Sequence, residues 1–245
     1  MRQKIGADHA IYFDITNACA GMISGVLIAD NFIKQGIVRN CMVVSGEFIS
    51  TIAHNASKTI STFDTKELAS LTVGDAGAAV ILSRNESDAG FEVLEQNTYA
   101  RYQNLCYGAL STSFPGAYMQ TLMKKLHKAA LDESADFIEV CLKKHQLSFD
   151  KIDILIPHQT SQKAINIGAK RLLNHFKVKK VPKVVSNLEL YGNTASTTHF
   201  IALYHLLMAK KVQKGERIML LSHASGLVMG LVVFRLNAIV DRYGN

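Results

Sequence analysis

Two stretches of this 245-residue chain, residues 20–35 and 195–209, are apolar on almost every side at helical length. In the first, Ser24, Asp30 and Asn31 are the clear polar breaks before Gly36. A helix greasy all round cannot rest on a surface and belongs in the middle of a layered fold. Each stretch also sits inside the same longer pattern. Asn17-Ala18-Cys19, apolar helix, Gly36 and the buried strand Cys41-Met42-Val43-Val44-Ser45 run parallel to Asn193-Thr194-Ala195, apolar helix, Gly215 and Met219-Leu220-Leu221-Ser222. This is an internal duplication. Two α/β halves built this way set two helix N-termini around one site, where ligands collect in α/β folds.

The rest of the chain fills in around the repeat. Residues 10–13 read as a short strand running into the first helix, residues 48–70 as a long polar loop, and Gly74-Asp75-Ala76-Gly77 as a small-residue turn feeding a strand. A further strand at 91–99 and a loop at 101–117 precede a helix over 121–145, with His127 and His145 expected on its solvated side. A strand at 152–156 closes with Pro157 and delivers His158-Gln159 to its carboxyl end, and Thr160 and Ser161 cap a helix running to Leu173. A basic connector at 177–183 and a strand pair, 218–221 and 228–234, complete the pattern.

With 48% hydrophobic and 19% charged residues the chain is globular rather than disordered. Its four cysteines, Cys19, Cys41, Cys106 and Cys141, form no CxxC pair and read as reduced thiols, which points to the cytoplasm. No secretory leader is recognisable at the start. The greasiest run, 218–236, is broken at its centre by Ser222, His223, Ser225 and Gly226, so it reads as two strands and not a membrane span. A net charge of +7 suits an anionic carrier or cofactor, or simply a basic soluble surface. Nucleic acid is not expected, because no RNP, zinc-finger or aromatic-interleaved basic motif is present. No HExxH, paired CxxC or carboxylate cluster calls for a metal.

Cys19, at a strand-to-helix junction, is placed to have its thiolate stabilised by the helix N-terminus; the plainer reading is a small residue closing a tight turn. His158 and Asn193 stand at comparable junctions. A thiolate takes an acyl group from a thioester and needs N–H donors for the tetrahedral oxyanion, for which the backbone N–H groups of Cys19 and Gly226 are candidates. An imidazole and a carboxamide together can hold one carbonyl oxygen, stabilising the enolate left when a malonyl-type thioester loses carbon dioxide. The same set also suits plain acyl transfer or hydrolysis. His199 and His223 are expected to be structural.

Four motifs, Asn17-Ala18-Cys19-Ala20-Gly21, Pro157-His158-Gln159, Gly192-Asn193-Thr194 and Gly74-Asp75-Ala76-Gly77-Ala78-Ala79-Val80, make the chain resemble the β-ketoacyl-acyl carrier protein synthase III family of the thiolase superfamily. The resemblance implies a thiolase-like α/β fold with two duplicated halves in a layered αβαβα arrangement, here 1–120 and 121–245, the first lacking the leading βαβα segment usual in the family. It implies Cys19 as nucleophile, His158 and Asn193 as its catalytic partners, and Lys163, Lys170 and Arg171 as the basic positions that meet an acidic acyl carrier protein or the coenzyme A phosphates. It further implies acyl-coenzyme A and malonyl thioesters of carrier protein or coenzyme A as substrates, no permanently bound cofactor, and a homodimer joined through the strand before Cys19. Two departures stand out: the family's glycine triplet is reduced to Ala224-Ser225-Gly226, and the 48–70 segment is long. Three functions stay open on these grounds: a condensing acyltransferase, a non-condensing acyltransferase or thioester hydrolase, and a non-catalytic subunit that needs a partner.

Overall fold

In a computed structural model, residues 2–62, 64–84 and 90–243 are described. The elements in chain order are α1 (Gly21–Lys34), β1 (Asn40–Glu47), α2 (Ser50–Thr59), β2 (Ala76–Ser83), β3 (Phe91–Thr98), β4 (Cys106–Leu110), β5 (Ala117–Thr121), α3 (Met123–Lys144), β6 (Ile154–Pro157), α4 (Gln162–Phe176), β7 (Lys183–Val184), α5 (Leu188–Tyr191), α6 (Thr198–Met208), β8 (Arg217–Ala224) and β9 (Val228–Arg235). Short 3-10 turns at Ala18–Ala20 and Ala195–Thr197 lead into α1 and α6.

The duplication is visible in the strand pairing. β1 and β2 form an antiparallel ladder from Asn40↔Ser83 to Glu47↔Ala76, and β8 and β9 form its counterpart from Arg217↔Arg235 to Ala224↔Val228. In the second half this ladder is extended into a five-stranded sheet of order β3-β9-β8-β6-β7. β6 runs parallel to both β8 and β7, and β3 antiparallel to β9. β3, on the N-terminal side of the 120/121 division, is thus an edge strand of the second sheet.

The two greasy helices are buried because each face of that layer meets a sheet. A Cβ placed on Gly25 of α1 would stand 2.6 Å from Val43 Cγ1 on β1, and one on Gly230 of β9 would stand 2.9 Å from Ile23 Cγ2 of α1. Glycine on the helix admits one sheet, and glycine on the strand admits the helix to the other. Ile23 shares a core with Ala202, Leu206 and Leu207 of α6 and with Ile154, Ile156, Ile218, Leu220 and Val232 of the sheet. Alternate residues on the same strands, Leu155, Met219, Leu221 and Leu231, pack on Phe137, Ile138, Cys141 and Leu142 of α3 and on Leu172 of α4. This is the two-residue period of strands buried on both faces. The layers are therefore β1/β2, α1/α6, the five-stranded sheet and α3/α4.

The structure departs from the sequence reading in four segments. The strand at 41–45 is not buried on both faces: β1 alternates along its length, with Met42 and Val44 exposed. Residues 10–13 are not a strand; Ile11, Tyr12 and Phe13 are exposed. The polar stretch 48–70 contains α2, whose run of Ser, Thr and Asn is poor in helix formers. Its first turn is held from outside, since the Asp75 carboxylate accepts the N–H groups of Ile49 and Ser50 and the Ser50 hydroxyl. These bonds keep the Asp75 carboxyl below its ordinary value. The 101–117 stretch contains a 3-10 turn and the strand β4, which pairs with β5 from Cys106↔Thr121 to Leu110↔Ala117. Among the described residues no helix is long and apolar enough to cross a membrane.

Candidate active site

The two 3-10 turns bring the polar groups together. Ala18 and Ala195 have φ 41° and 47°, a left-handed conformation that costs a residue bearing a Cβ about 1–2 kcal/mol. Each strained alanine sits directly before the residue that opens the turn inward: Cys19 in one half, Ser196 in the other. The repeat is therefore offset by one from the sequence alignment, and Cys19 matches Ser196 rather than Ala195.

Cys19 is half-buried against Ala20, Ala224 and Val228. It lines a cavity of about 310 Å³ together with His158 and Asn193. The same cavity receives Cys106, Thr121, His127, Ser134, His223 and Ser225. The helix N-terminus does not win at Cys19. Burial pushes the thiol up to about 12, with further contributions from Cys106 and from the Glu47 carboxylate, against a smaller lowering by its own backbone N–H. At rest Cys19 is a thiol, and any reaction through its sulfur needs a proton acceptor.

His158 directly follows β6, and its N–H donates to the Leu221 carbonyl at 2.8 Å. The neighbouring Gln159, fully buried, fastens this strand end to the next segment. Its Nε2 donates to the carbonyls of Pro157 and Val185 at 2.8 and 3.1 Å, and its Oε1 accepts the Asn187 N–H at 3.0 Å. The imidazole of His158 is held well below its ordinary pKa by burial and by the nearby His199 and His223, so it is neutral. Its Nδ1 is sealed from solvent without a partner among the described residues, leaving Nε2 as the atom that can work.

His199 and His223 are each lowered to about 4, chiefly by burial. His199 Nε2 donates to the same Leu221 carbonyl that accepts from His158, at 3.0 Å. The two rings lie 5.8 Å apart, centroid to centroid. His223 Nε2 stands 2.8 Å from the Ser134 hydroxyl, which itself donates to the Ala130 carbonyl. That hydroxyl has given its proton away, so His223 donates through Nε2. His223 thus forms part of the cavity wall. His127 does too: it does not lie on the solvated side of α3, and its Nε2 is sealed off.

Asn193 is held by a clasp between two loops. Its N–H donates to Thr72 O at 2.8 Å, and its carbonyl accepts the Gly74 N–H at 2.9 Å. This approach requires both glycines of the sequence motifs. A Cβ on Gly74 would stand 2.1 Å from Tyr191 O; one on Gly192, with φ 65°, would stand 2.6 Å from Thr72 O. The Asn193 Oδ1 accepts the Ala195 N–H at 3.1 Å, which leaves the amide NH₂ as the group to offer a substrate.

In the β8–β9 turn, Gly226 has φ 109° and stands at the tip. The turn residues lining the cavity are Ala224, Ser225 and Leu227, and Gly226 is not among them. Lys163, Lys170 and Arg171 are exposed on α4. Arg171 reaches the cavity rim and also pairs with Asp132 at 2.8 Å. Sequence reasoning missed Cys106. Nothing around it in sequence marks a site, and it reaches the cavity only through the β4–β5 pairing.

Comparison with known proteins agrees with this architecture. Residues 13–101 match the family described as 3-oxoacyl-[acyl-carrier-protein (ACP)] synthase III, and residues 142–236 match its C-terminal counterpart. The β-ketoacyl-[acyl-carrier-protein] synthase III of Acaryochloris marina is 30% identical, and that of a Nostoc species 29%, each over 96% of this chain and 70% of the relative. The crystal structure of the Aquifex aeolicus 3-oxoacyl-[acyl-carrier-protein] synthase III superposes with a TM-score of 0.78 at 25% identity, over 96% of this chain and 70% of that one. An OleA variant from Xanthomonas campestris shares the fold with a TM-score of 0.82 at 23% identity, over 96% and 68%.

Proposed function

The chain belongs to the 3-oxoacyl-[acyl-carrier-protein] synthase III family of acyltransferases, and from this premise we infer that it forms an acyl thioester on Cys19 and condenses it with a malonyl-type thioester. The observation that carries the reading is the meeting of Cys19, His158 and Asn193, from three separate elements, in one cavity.

In the first half-reaction the Cys19 sulfur attacks the carbonyl of an acyl-coenzyme A. With its thiol pushed up to about 12, Cys19 must lose its proton as it attacks. The neutral His158 is the acceptor, and it returns that proton to the departing thiolate. The N–H of Cys19, with that of Ser225 or Gly226, holds the oxyanion. Thioester replaces thioester, so the step is nearly balanced in energy.

In the second half-reaction the neutral His158, now in the tautomer that carries its proton on Nε2, and the Asn193 NH₂ both donate to the carbonyl oxygen of a malonyl thioester. The C–C bond to the carboxylate breaks, carbon dioxide leaves, and the enolate attacks the acyl carbon on Cys19. The C–S bond then breaks, releasing a 3-oxoacyl thioester and the Cys19 thiolate, which takes up a proton from water. A buried, neutral imidazole serves this step, because a charged one would not keep its place in so dry a wall.

No bound cofactor is required by this chemistry. The substrates are acyl-coenzyme A and malonyl carrier protein or malonyl-coenzyme A, in fatty acid or polyketide-type synthesis in the cytoplasm. The exposed Lys163, Lys170 and Arg171 offer positive charge to the carrier protein or the coenzyme A phosphates. The exposed Ile11, Tyr12 and Phe13 are where a second copy would join to make a homodimer. The two halves, 1–120 and 121–245, would act as one catalytic unit.

Release of labelled carbon dioxide from malonyl-coenzyme A tests the reading. His158→Ala and Asn193→Ala should each slow release by about 100-fold or more. Acyl-Cys19 formation with no carbon dioxide released would instead establish a non-condensing acyltransferase or hydrolase.

A further inference from the structure

Two thiols share the cavity. Cys19 packs against Ala224, and Cys106 Sγ lies 3.1 Å from the hydroxyl of Ser225, the next residue of the same turn. Cys106 is the first residue of β4, an edge strand whose partner is β5. Its sulfur also lies 3.2 Å from the Thr121 hydroxyl. Both residues line the cavity, and Cys106, when ionised, would oppose ionisation of Cys19 more than Glu47 does. Cys41 and Cys141 lie elsewhere, on β1 and on the buried face of α3. The catalytic scheme uses one thiol, and an alanine or valine at 106 would fill the same volume.

We propose that Cys19 and Cys106 form a disulfide within the cavity when the protein meets a small-molecule disulfide, making the acyl-accepting cysteine a reversible redox-modification site. One cysteine thiolate attacks a sulfur of the oxidant RSSR, breaking its S–S bond and releasing RS⁻. The second cysteine loses its proton and attacks the mixed disulfide, releasing the second RS⁻. Two protein sulfurs are oxidised and RSSR is reduced to two RSH, which carry the two thiol protons. The disulfide removes the nucleophile, and its reduction restores it. Held next to a resolving thiol, Cys19 is also protected from passing up the oxidation ladder to irreversible acids.

The test treats the full chain with oxidised glutathione and maps peptides without reduction. The expected product is a peptide pair joined through Cys19 and Cys106, with intact mass lowered by two hydrogen atoms. Uptake of an acyl group from acyl-coenzyme A should fall at least ~10-fold and return on treatment with dithiothreitol. In Cys106→Ser, whose hydroxyl can still bond Ser225 and Thr121, the expected product is a glutathione adduct on Cys19. A wild-type map in which Cys19 carries glutathione while Cys106 stays a free thiol overturns the proposal. The peptide map reads the disulfide whether or not Cys19 transfers acyl groups, so its failure is distinct from failure of the catalytic reading.

Discussion

Cys19 and Ser196 are equivalent residues in the two halves, each set at the head of a buried helix by a left-handed alanine, Ala18 or Ala195. The two heads touch: a Cβ on Gly21 would stand 3.7 Å from Ser196 Cβ. One copy of the device carries a thiol at the cavity. The other is spent on structure, since the Ser196 hydroxyl donates to the Glu47 carboxylate and stands 3.0 Å from the Ser45 hydroxyl, while its N–H donates to Glu47 at 3.2 Å. The carboxylate that anchors Ser196 is the one that works against a thiolate at Cys19.

Removing that charge should help Cys19 ionise. Glu47→Gln keeps an acceptor oxygen for Ser196 but no negative charge, so the thiol pKa falls. The rate of alkylation of Cys19 by iodoacetamide against pH is the measurement, and the midpoint should move down in the variant. An unchanged profile would mean that the carboxylate is screened from the sulfur.

Acid should destabilise the fold before its carboxylates titrate. His158, His199 and His223 are all held below the ordinary histidine value, the last two at about 4. Between about pH 6.5 and about pH 4 the unfolded chain binds protons that the folded one refuses. Stability is then lost at about 1.4 kcal/mol per pH unit for each histidine. Glu92, Glu95, Glu133 and Asp153, lowered by their ionic and hydrogen-bonding partners despite burial, add their loss only further down. Urea unfolding at about pH 7 and about pH 5 measures the slope, and a flat response would contradict neutral buried imidazoles.

The clasp around Asn193 should be intolerant of a methyl group. Gly192→Ala forces a side chain into a left-handed backbone 2.6 Å from Thr72 O, a loss of about 3 kcal/mol or more. Gly36→Ala has the same sign of φ but nothing within 4 Å and should lose only about 1 kcal/mol. At about 2–4 °C per kcal/mol for a chain of this size, thermal melting separates the two. Equal melting temperatures would refute the clasp.

What the sequence makes legible here is local. The hydrophobic runs of α1 and α6 show their burial because every face is apolar, and Ser161 shows its cap, accepting the Ala164 N–H at 3.1 Å, because the bond spans three residues. The one-residue offset between Cys19 and Ser196 was hidden, since it is set by backbone dihedrals and both registers align small residues. α2 was hidden because its cap, Asp75, comes from 25 residues downstream. Residues 10–13 have strand composition, but strands exist by pairing, and no strand pairing for them occurs among the described residues. The Cys19 thiol follows the same logic. A helix N-terminus is visible in sequence, whereas the burial that outweighs it depends on how Ala224 and Val228 close over the sulfur.

The central claim is that Cys19 accepts an acyl group. Intact mass spectrometry after incubation with acyl-coenzyme A thioesters of graded chain length tests it directly, with Cys19→Ala alongside. The account predicts one acyl adduct per chain, located on Cys19 and absent from the variant. An adduct that persists in Cys19→Ala, or no adduct with any chain length, would contradict it.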